Sequence, residues 1–461
     1  MHRSLIAAAT ILALSLPTFA AELSPRQQRL RAIYRELIEI DTSHSTGSTT
    51  VAANAVAKQL RAAGFSSKDL FLGGPKPTRG NLVARIRGTG AQRPLLLLAH
   101  LDVVDAKRSD WSVDPFKLLE QDGFFYGRGT LDDKCMAAIF VDVMIAMKQS
   151  GARPNRDVIL ALTADEEGGP DNGVDWLLKH HRALVDAAVV INEGGGGRIR
   201  NGQYIHNAVQ ASEKTYTNFV LEVKNKGGHS SLPTKDNAIY RLAAGLTRLE
   251  GFAFPVELND VTRPFFERSA KIETGQTAAD MLALLHTPPD PEAVARLSDT
   301  PTYNATIRTT CVATRLEGGH ADNALPQTAR ANVNCRILPG HSSDEVRQTL
   351  VQVLADDQIT ITEPEAAVPG PNSPIDPEFI RMVEQTSESM WPGVPVLPTM
   401  STGATDSRYF RAAGISAYGV SGIFVDMDDI RAHGKDERLG VRQFFEGHEF
   451  LSRLVHALTT P

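Results

Sequence analysis

Three apolar runs in the first half of this sequence are continuous rather than alternating, and they constrain the fold more than any other feature. The runs cover residues 94–99, 157–162 and 187–191. Because a strand buried on both faces has no polar side, continuous runs are typical of central strands in a sheet that helices cover. Apolar residues at helical spacing over 136–147 separate the first two runs. The pattern predicts an α/β fold, with a mixed sheet and helices on both faces.

The chain is long for a single hydrophobic core, and its second half has a different pattern. Extended and helical stretches alternate there at 217–223, 237–249, 327–337, 343–354 and 359–362. A linker rich in Pro and Gly, PEAAVPGPNSP, follows at 364–374. We therefore expect one domain formed by 22–212 and 364–461, with a smaller two-layer α+β insert at 213–363. Residues 258–303 have no clear period, so their conformation stays open.

The N-terminus combines a basic tip with an apolar stretch, MHRSLIAAATILALSLPTFAAEL. The stretch is short for a membrane span, and the TFA sequence at 18–20 has the small-x-small spacing of a signal peptidase site. We expect residues 1–21 to be a removed signal peptide, with a retained anchor as the alternative. No later apolar segment has the length of a membrane helix, so the mature protein is expected in the periplasm or outside the cell, without a membrane partner.

The charge of the sequence bears on its partners, and its cysteines bear on a disulfide. The net charge is −6 and the sequence has no basic runs, which argues against a nucleic-acid partner. Cys311 and Cys335 lie in two strand-like stretches around a predicted hairpin, where a disulfide formed after export and two free thiols are alternatives. Cys135 lies within a helical pattern and is expected to be a small core residue.

Each of the three apolar runs ends in side chains that can bind a metal ion. Run by run, these are His100 and Asp102; Asp165, Glu166 and Glu167; and Glu193. Ligands bind at the carboxyl ends of strands in open α/β sheets, so three such ends are expected to meet at a common edge. Asp132 or Asp133 precedes a helix and adds a fourth element, for which a helix cap is the alternative. Gly127 and Gly129 favour a site, because glycine lets the backbone approach a ligand closely.

These residue types indicate a catalytic metal rather than a structural one. Carboxylates and imidazoles without cysteine suit a catalytic Zn²⁺, although Co²⁺ and Mn²⁺ accept similar ligands. Asp102 stands two residues after His100, on the same side of an extended chain. We expect its carboxylate to accept the second imidazole N–H, which fixes the orientation of the ring.

Seven motifs, in order over nearly the whole mature chain, resemble a known family. They are HLDVV (100–104), WSVDPF (111–116), GRGTLDDK (127–134), DEEGG (165–169), NEGGG (192–196), KGGHSSLP (226–233) and RAHGKDE (431–437). The sequence resembles the dinuclear zinc peptidases that include aminoacylase, glutamate carboxypeptidase, succinyl-diaminopimelate desuccinylase, carnosinase-type dipeptidases and yeast Gly-X carboxypeptidase. The resemblance implies that the larger domain is catalytic. It also implies that the insert is a dimerisation or lid domain through which a homodimer forms.

The resemblance further implies a ligand set for two zinc ions per subunit. Asp132 would bridge the two ions. His100 and Glu193 would hold the first ion, and Glu167 and His433 the second. A cis peptide bond is expected after the bridging aspartate. A single zinc ion, or a centre loaded with Co²⁺ or Mn²⁺, is the alternative.

The adjacent carboxylates at the end of the second run receive separate roles. By resemblance, Glu166 is the general base. A base that takes a proton from water and passes it to the leaving nitrogen cannot also be a metal ligand. Neighbouring residues in an extended chain point to opposite sides, which lets Glu166 and Glu167 act separately. Asp165 is expected to be a solvated loop residue.

Four further residues resemble substrate-contacting positions of the family. His229 would stabilise the oxyanion of the reaction, commonly across the dimer interface. The alternative interpretation is that His229 is only a surface residue. Asn323 and Arg336 resemble lid residues that contact substrate, and Arg408 resembles an arginine that holds a carboxylate. Structural ion pairs are the alternative for the two arginines.

These inferences lead to one principal function and two alternatives. The principal function is a secreted zinc-dependent metallopeptidase of the carboxypeptidase or dipeptidase type, which hydrolyses an amide bond next to a free carboxylate in a small peptide. The first alternative is an N-acyl-amino-acid amidohydrolase similar to aminoacylase. The second, of a different class, is a binding protein that has lost its chemistry. That alternative predicts gaps in the ligand set, and none is evident.

Overall fold

A computed structural model describes residues 22–460 of the protein. The predicted signal peptide, residues 1–21, lies outside the described residues. The α-helices are α1 (Pro25–Ile38), α2 (Thr49–Ala62), α3 (Lys134–Ser150), α4 (Gly173–His180), α5 (Arg182–Val185), α6 (Ala238–Glu250), α7 (Thr262–Ser269), α8 (Gly275–Leu284), α9 (Pro291–Ser298), α10 (Pro301–Ile307), α11 (Ser343–Leu354), α12 (Pro377–Met390), α13 (Ser407–Ala412) and α14 (Val441–Thr459). The strands are β1 (Leu70–Gly73), β2 (Asn81–Ile86), β3 (Gln92–His100), β4 (Leu119–Gln121), β5 (Phe124–Tyr126), β6 (Arg156–Thr163), β7 (Val189–Asn192), β8 (Gly197–Arg200), β9 (Gln203–Glu213), β10 (Thr215–Lys224), β11 (Gly228–His229), β12 (Thr310–Gly318), β13 (Ala324–Leu325), β14 (Thr328–Ile337), β15 (Ile359–Thr362), β16 (Val396–Ser401), β17 (Ser416–Gly419), β18 (Phe424–Asp426) and β19 (Arg438–Gly440). Within residues 22–460, no helix combines the length and apolar character needed to cross a bilayer.

The large sheet carries the three apolar runs in adjacent strands. It follows the order β1-β2-β6-β3-β7-β17-β9-β8-β18, with β16 paired to β9. Strand β3 is parallel to β6 and β7, whereas β2 is antiparallel to β6, so the sheet is mixed. Leu95 and Leu97 pack into a core with α1, α3 and α14, while Leu96 and Leu98 pack into a second core with α4 and α13. The predicted sheet with both faces covered is confirmed.

A second sheet forms a two-layer unit with two helices. Its order is β12-β14-β10-β15, and all of its pairs are antiparallel. Helices α6 and α11 cover one face, where Phe219, Val333 and Leu350 are fully buried. Cys311 of β12 and Cys335 of β14 are joined by a disulfide. Of the two alternatives left by the sequence, the structure therefore has the disulfide, whereas Cys135 is a buried free thiol.

The segment without a sequence period forms the four short helices α7 to α10. Each has only seven to ten residues, too few turns to establish a clear apolar repeat. They share a small core that includes Phe266, Met281 and Ile307. Helix α7 also contacts the large sheet, because Arg268 donates a hydrogen bond of 2.8 Å to the carbonyl of Val396 in β16.

Candidate metal centre and active site

The carboxyl ends of β3, β6 and β7 bring the predicted ligands to one place. His100 is the last residue of β3, Glu193 follows β7 directly, and Glu167 lies in the loop after β6. Asp132 and His433 approach from two other loops. The contacts are His100 Nε2 to Asp132 Oδ1 (3.1 Å), His100 Nε2 to Glu193 Oε1 (3.8 Å), His433 Nε2 to Asp132 Oδ2 (3.0 Å) and His433 Nε2 to Glu167 Oε2 (2.9 Å).

Asp132 lies between two sets of ligands. Its Oδ1 faces His100 and its Oδ2 faces His433, so one carboxylate contacts two imidazoles. With metal–ligand bonds of about 2.0–2.1 Å, neighbouring ligands of a tetrahedral ion are roughly 3.3 Å apart, which is close to these separations. The arrangement fits a carboxylate shared by two metal ions.

The charge of the cluster also fits metal ions. Among residues 22–460, no Lys or Arg forms an ion pair with Asp132, Glu166, Glu167 or Glu193, and Glu167 Oε1 is buried without a partner. Burial raises the pKa of Glu166 and of Glu193 well above the usual range. Hydrogen bonds with Asp132 and Glu167 raise the pKa of His433 to about 10. Divalent cations would compensate this excess of half-buried carboxylates.

The orientation of His100 corrects one prediction. Its Nδ1 lies 2.9 Å from the backbone carbonyl of Asp102 and 3.7 Å from that residue's carboxylate. Because a carbonyl only accepts, Nδ1 carries the proton and Nε2 presents its lone pair to the metal site. The expected partner of the ring, the Asp102 carboxylate, was therefore wrong: the main chain of the same residue takes that position.

The Asp102 carboxylate instead holds the loop that carries the two glutamates. Its Oδ1 accepts a hydrogen bond from the backbone N–H of Glu166 (3.1 Å), and its Oδ2 accepts one from Glu167 (3.0 Å). The buried carboxylate thereby fixes the backbone of both residues. Their side chains reach different ligand groups, one with His100 and Glu193 and the other with His100 and Asp132.

Asp165 is not the solvated loop residue that the sequence suggested. Its side chain is 1% exposed and forms an ion pair of 2.7 Å with Arg79 Nε. Its backbone has a positive φ of 54°. The residue therefore anchors the start of the DEEGG loop against Arg79, which in turn donates to the backbone carbonyls of His44 and Gly47.

Glu437 is a site residue that the sequence analysis did not assign. It is fully buried, and it accepts backbone hydrogen bonds from Gly129 (3.0 Å), Leu131 (2.7 Å) and Asp132 (3.1 Å). The position of Glu437 within the RAHGKDE motif was the sequence signal that could have identified it.

The expected cis peptide bond between Asp132 and Asp133 is present. Asp133 is the N-cap position of α3 but makes no side-chain capping bond, which contradicts the helix-cap alternative.

Asp406 is a second residue that the sequence analysis missed. It accepts hydrogen bonds from Asn172 Nδ2 (2.6 Å) and Thr163 Oγ1 (3.2 Å) beneath the loop after β6. Burial raises the pKa of Asp406 to about 6. The GATDSRYF stretch that contains it drew attention only to Arg408.

Arg336 and Arg408 lie close enough for their charges to interact, and Arg408 also lies within the range of the Glu166 charge. The Arg336 guanidinium stacks on Tyr216 at 4.7 Å, and Arg408 stacks on Tyr409 at 4.8 Å. Burial lowers the pKa of Arg336, and the charge of Arg408 acts in the same direction. Neither arginine forms an ion pair with a carboxylate of the described chain, and Arg408 Nε is buried without a partner. The structural ion pairs considered as alternatives are absent from residues 22–460.

His229 and Asn323 are not brought to the metal centre within the described chain. Both are exposed on a two-stranded ribbon of β11 and β13, in which His229 pairs with Ala324. The Ser230 N–H donates to the Asn323 carbonyl at 3.1 Å. His229 Nδ1 lies 2.7 Å from Ser231 Oγ. The two residues therefore form one surface, separate from the ligands.

Comparison with known proteins agrees with this fold. Residues 96–457 match the model of Peptidase family M20/M25/M40. The chain is 32% identical to the N-fatty-acyl-amino acid synthase/hydrolase PM20D1 of Homo sapiens, over 80% of this chain and 74% of that protein. It is 27% identical to the probable carboxypeptidase S-like 2 of Dictyostelium discoideum, over 79% of this chain and 71% of that protein.

A solved structure shares the fold. The M20 family metallo-carboxypeptidase Sso-CP2 from Sulfolobus solfataricus aligns with a TM-score of 0.69 at 18% identity, covering 93% of this chain and 98% of that chain. The match to the family model covers most of the sequence, including all of the loops that form the cluster. The chain therefore belongs to Peptidase family M20/M25/M40 and is a hydrolase of amide or peptide bonds.

Proposed function

We propose that the protein is an exported, zinc-dependent amidohydrolase that cleaves an amide bond next to a free carboxylate. The observation that carries the proposal is that the Glu166 side chain lies among the candidate ligands without a partner in the described chain. It lies within 4.8 Å of the nearest ligand atoms of His100 and Glu193. It makes no hydrogen bond or ion pair with the rest of the described chain. A half-buried carboxylate left free among candidate ligands suits a general base.

Five residues would hold the metal ions in this proposal. They are His100, Asp132, Glu167, Glu193 and His433, with Asp132 shared by both ions. Zinc ions bound there would polarise the amide carbonyl and lower the pKa of a water molecule. The donor set also accepts Co²⁺ or Mn²⁺.

The residues of the chain would then handle the proton and the charge. Glu166 takes the proton from the attacking water and returns it to the leaving nitrogen, which must depart as a neutral amine. Asp102 keeps Glu166 in position through its backbone, because the carboxylate accepts the Glu166 N–H. Arg408 and Arg336 would bind the free carboxylate of the substrate, since a guanidinium can contact both carboxylate oxygens. Their lack of acidic partners in the described chain supports this role.

The lid domain is assigned to residues 213–363 and the catalytic domain to 22–212 and 364–461. We propose that the lid forms a homodimer and that His229, with Asn323, reaches the active site of the partner subunit. Strand β12 supports this because it is an edge strand with exposed apolar side chains: Val312 is 60% exposed and Leu316 is 66% exposed. Such an edge is available for pairing with another chain.

Export to the periplasm or beyond the cell is supported by the disulfide between Cys311 and Cys335. Disulfides persist mainly in oxidising compartments. The signal peptide proposed for residues 1–21 agrees with that compartment.

The acyl side of the scissile bond separates the two substrate classes, because it carries a free amine in a peptide and none in an N-acyl amino acid. A carboxypeptidase or dipeptidase accepts a peptide, whereas an acylase requires a blocked amine. The similarity to an N-fatty-acyl-amino acid synthase/hydrolase favours the second class. The zinc-loaded protein should be assayed against dipeptides, N-acetyl-amino acids and longer N-acyl-amino acids, with Glu166→Ala as the control. Hydrolysis of dipeptides alone would assign the peptidase, hydrolysis of blocked substrates alone the acylase, and no hydrolysis of any member would overturn the proposed function.

A further inference from the structure

The short segment that leads into α13 carries Arg408 and is fastened to the large sheet by its side chains. Thr405 Oγ1 donates a hydrogen bond of 2.9 Å to the carboxylate of Glu213, the last residue of β9. Ser407 Oγ accepts one of 3.0 Å from the side chain of Asn192, the last residue of β7. The Arg408 N–H donates to the Thr405 carbonyl at 3.2 Å. The backbone that presents the arginine is therefore held in place by the sheet.

Asp406 connects this segment to the DEEGG loop. Its Oδ1 accepts a hydrogen bond of 2.6 Å from Asn172 Nδ2, and the same nitrogen donates to the backbone carbonyl of Asp165 at 3.2 Å. Its Oδ2 accepts a hydrogen bond of 3.2 Å from Thr163 Oγ1. Thr163 is the last residue of β6 and Asn172 is the N-cap of α4, so they flank the loop that contains Glu166. One carboxylate therefore holds both ends of that loop.

Burial makes these contacts of Asp406 hard to exchange for water. The residue is 2% exposed, and each of its carboxylate oxygens has a side-chain donor. A buried carboxylate that loses its donors is costly, so the two contacts fix where the side chain lies. Asp406 stands two residues before Arg408, and the charges of Asp406 and Glu166 both act on that arginine. The candidate base and the candidate receptor of the substrate carboxylate are thus positioned from the same side chain.

We propose that Asp406 is a positioning residue that holds Arg408 and Glu166 at a fixed separation, and thereby contributes to selectivity for substrates with a free carboxylate. The inference rests on the amidohydrolase function proposed above. A substrate held by Arg408 reacts fast only if its amide then lies correctly beside Glu166, and a displacement of about 1 Å can cost up to roughly 10²-fold in rate. A substrate without the carboxylate does not use Arg408, so it loses less when the separation changes.

The test compares a substrate that has a free carboxylate with the matching carboxamide. The quantity measured is the ratio of the two kcat/KM values in the zinc-loaded protein. A loss of folded protein lowers both values equally and leaves the ratio unchanged. Asp406→Ala should lower the ratio by about tenfold. Asp406→Asn should restore most of it, because the amide oxygen can accept from Asn172 and the amide nitrogen can donate to the Thr163 hydroxyl.

A second variant and a matched control keep the test independent of the folding of Asp406→Ala. Thr163→Val removes one donor to the carboxylate, keeps the branched shape of the side chain and should lower the ratio by a smaller factor. Asp280→Ala is the control. Asp280 of α8 is also buried, at 4% exposed, and its side chain contacts Gln276 and Arg296. This control should lower stability and leave the ratio unchanged.

A double variant identifies Arg408 as the residue through which Asp406 acts. Arg408→Ala removes the carboxylate contact, so adding Asp406→Ala should not lower the ratio further, whereas independent effects would multiply. Multiplied effects, or an unchanged ratio in folded Asp406→Ala and Thr163→Val, would overturn the positioning role and leave the amidohydrolase function standing. Failure of the parent protein to hydrolyse the carboxylate substrate, or equal values for both of its substrates, would instead overturn the proposed function.

Discussion

The Glu437 carboxylate accepts a hydrogen bond of 3.1 Å from the backbone N–H of Asp132, although 305 positions separate the two residues. The same carboxylate forms a buried ion pair of 2.7 Å with Arg128. Through these contacts the C-terminal part of the chain fixes the loop that presents Asp132, the proposed bridging ligand. The RAHGKDE motif thus supplies both a candidate ligand, His433, and a support for another ligand.

Glu437→Gln should weaken metal binding without removing a ligand. The amide can accept fewer of the backbone hydrogen bonds and does not balance the charge of Arg128. Loss of such supporting contacts typically lowers metal affinity by roughly 10–100-fold. Zinc dissociation constants measured by competition with a chelator should show this change, whereas the exposed Lys435→Gln should match the parent protein. An unchanged affinity in Glu437→Gln would show that the loop holds itself.

Replacing each of the adjacent glutamates by glutamine, in separate variants, should distinguish their roles. Glu166→Gln should retain both metal ions and lose about 10²–10⁴-fold in kcat, because it removes a proton acceptor and no ligand. Glu167→Gln should bind less metal, because it replaces a carboxylate in contact with His433. Elemental analysis of the two variants beside their kcat values provides the comparison. Metal loss in Glu166→Gln with full loading of Glu167→Gln would reverse the assignment.

Arg408→Ala should weaken recognition of the substrate carboxylate. Loss of hydrogen bonds to a charged group costs about 1.5–3 kcal/mol, which corresponds to roughly 10–100-fold in kcat/KM. The loss should occur with a free-carboxylate substrate and be small with the matching carboxamide. Arg442→Ala, on the surface of α14, serves as the control because its side chain is 72% exposed. Equal losses on both substrates would assign Arg408 a structural role.

His229 can be tested by mixing two inactive variants. If His229 acts on the partner's active site, a hybrid of Glu166→Ala and His229→Ala subunits contains one complete site, formed by Glu166 of one chain and His229 of the other. Co-refolded subunits should therefore regain activity that neither homodimer has. His229→Ala alone should lose about 10²–10³-fold in kcat as an oxyanion donor. A hybrid shown to be dimeric but inactive would place His229 outside the partner's site.

The sequence predicted which candidate ligands come together better than it predicted the residues that support them, for a physical reason. Ligand types follow apolar runs directly, so His100 and Glu193 can be read from local pattern and the parallel arrangement of strands. The groups that the carboxylates of Asp102, Asp165 and Glu437 contact depend on which distant segments pack together. Several residue types in each segment satisfy the same local pattern, so spacing alone does not select the contact. The short helices α7 to α10 were not predicted for a different reason, because their few turns leave no periodic signal.

Acid stability should depend on a buried aspartate of α3 that is not one of the candidate ligands. Asp142 of α3 contacts Arg26 (2.7 Å), Arg29 (2.7 Å) and His448 (2.8 Å). Burial alone raises the pKa of Asp142, but the hydrogen bonds from His448 and Arg26 outweigh it, so the pKa lies below the ordinary value of 3.8. A carboxylate with a lowered folded-state pKa stabilises the fold above its unfolded pKa, and that contribution is lost as the pH falls through the folded pKa.

Asp142→Asn should therefore lower the free energy of unfolding by about 1.5–3 kcal/mol near neutral pH, since it removes charged hydrogen-bond acceptors. The difference from the parent protein should remain constant down to about pH 4 and shrink below it, because the parent's aspartate then becomes neutral. Urea unfolding over that range measures both quantities. Glu449→Gln, which removes a surface pair with Arg453, should change stability by less than about 1 kcal/mol at every pH. A difference that persists unchanged into strong acid would mean that packing, and not charge, accounts for the effect of Asp142.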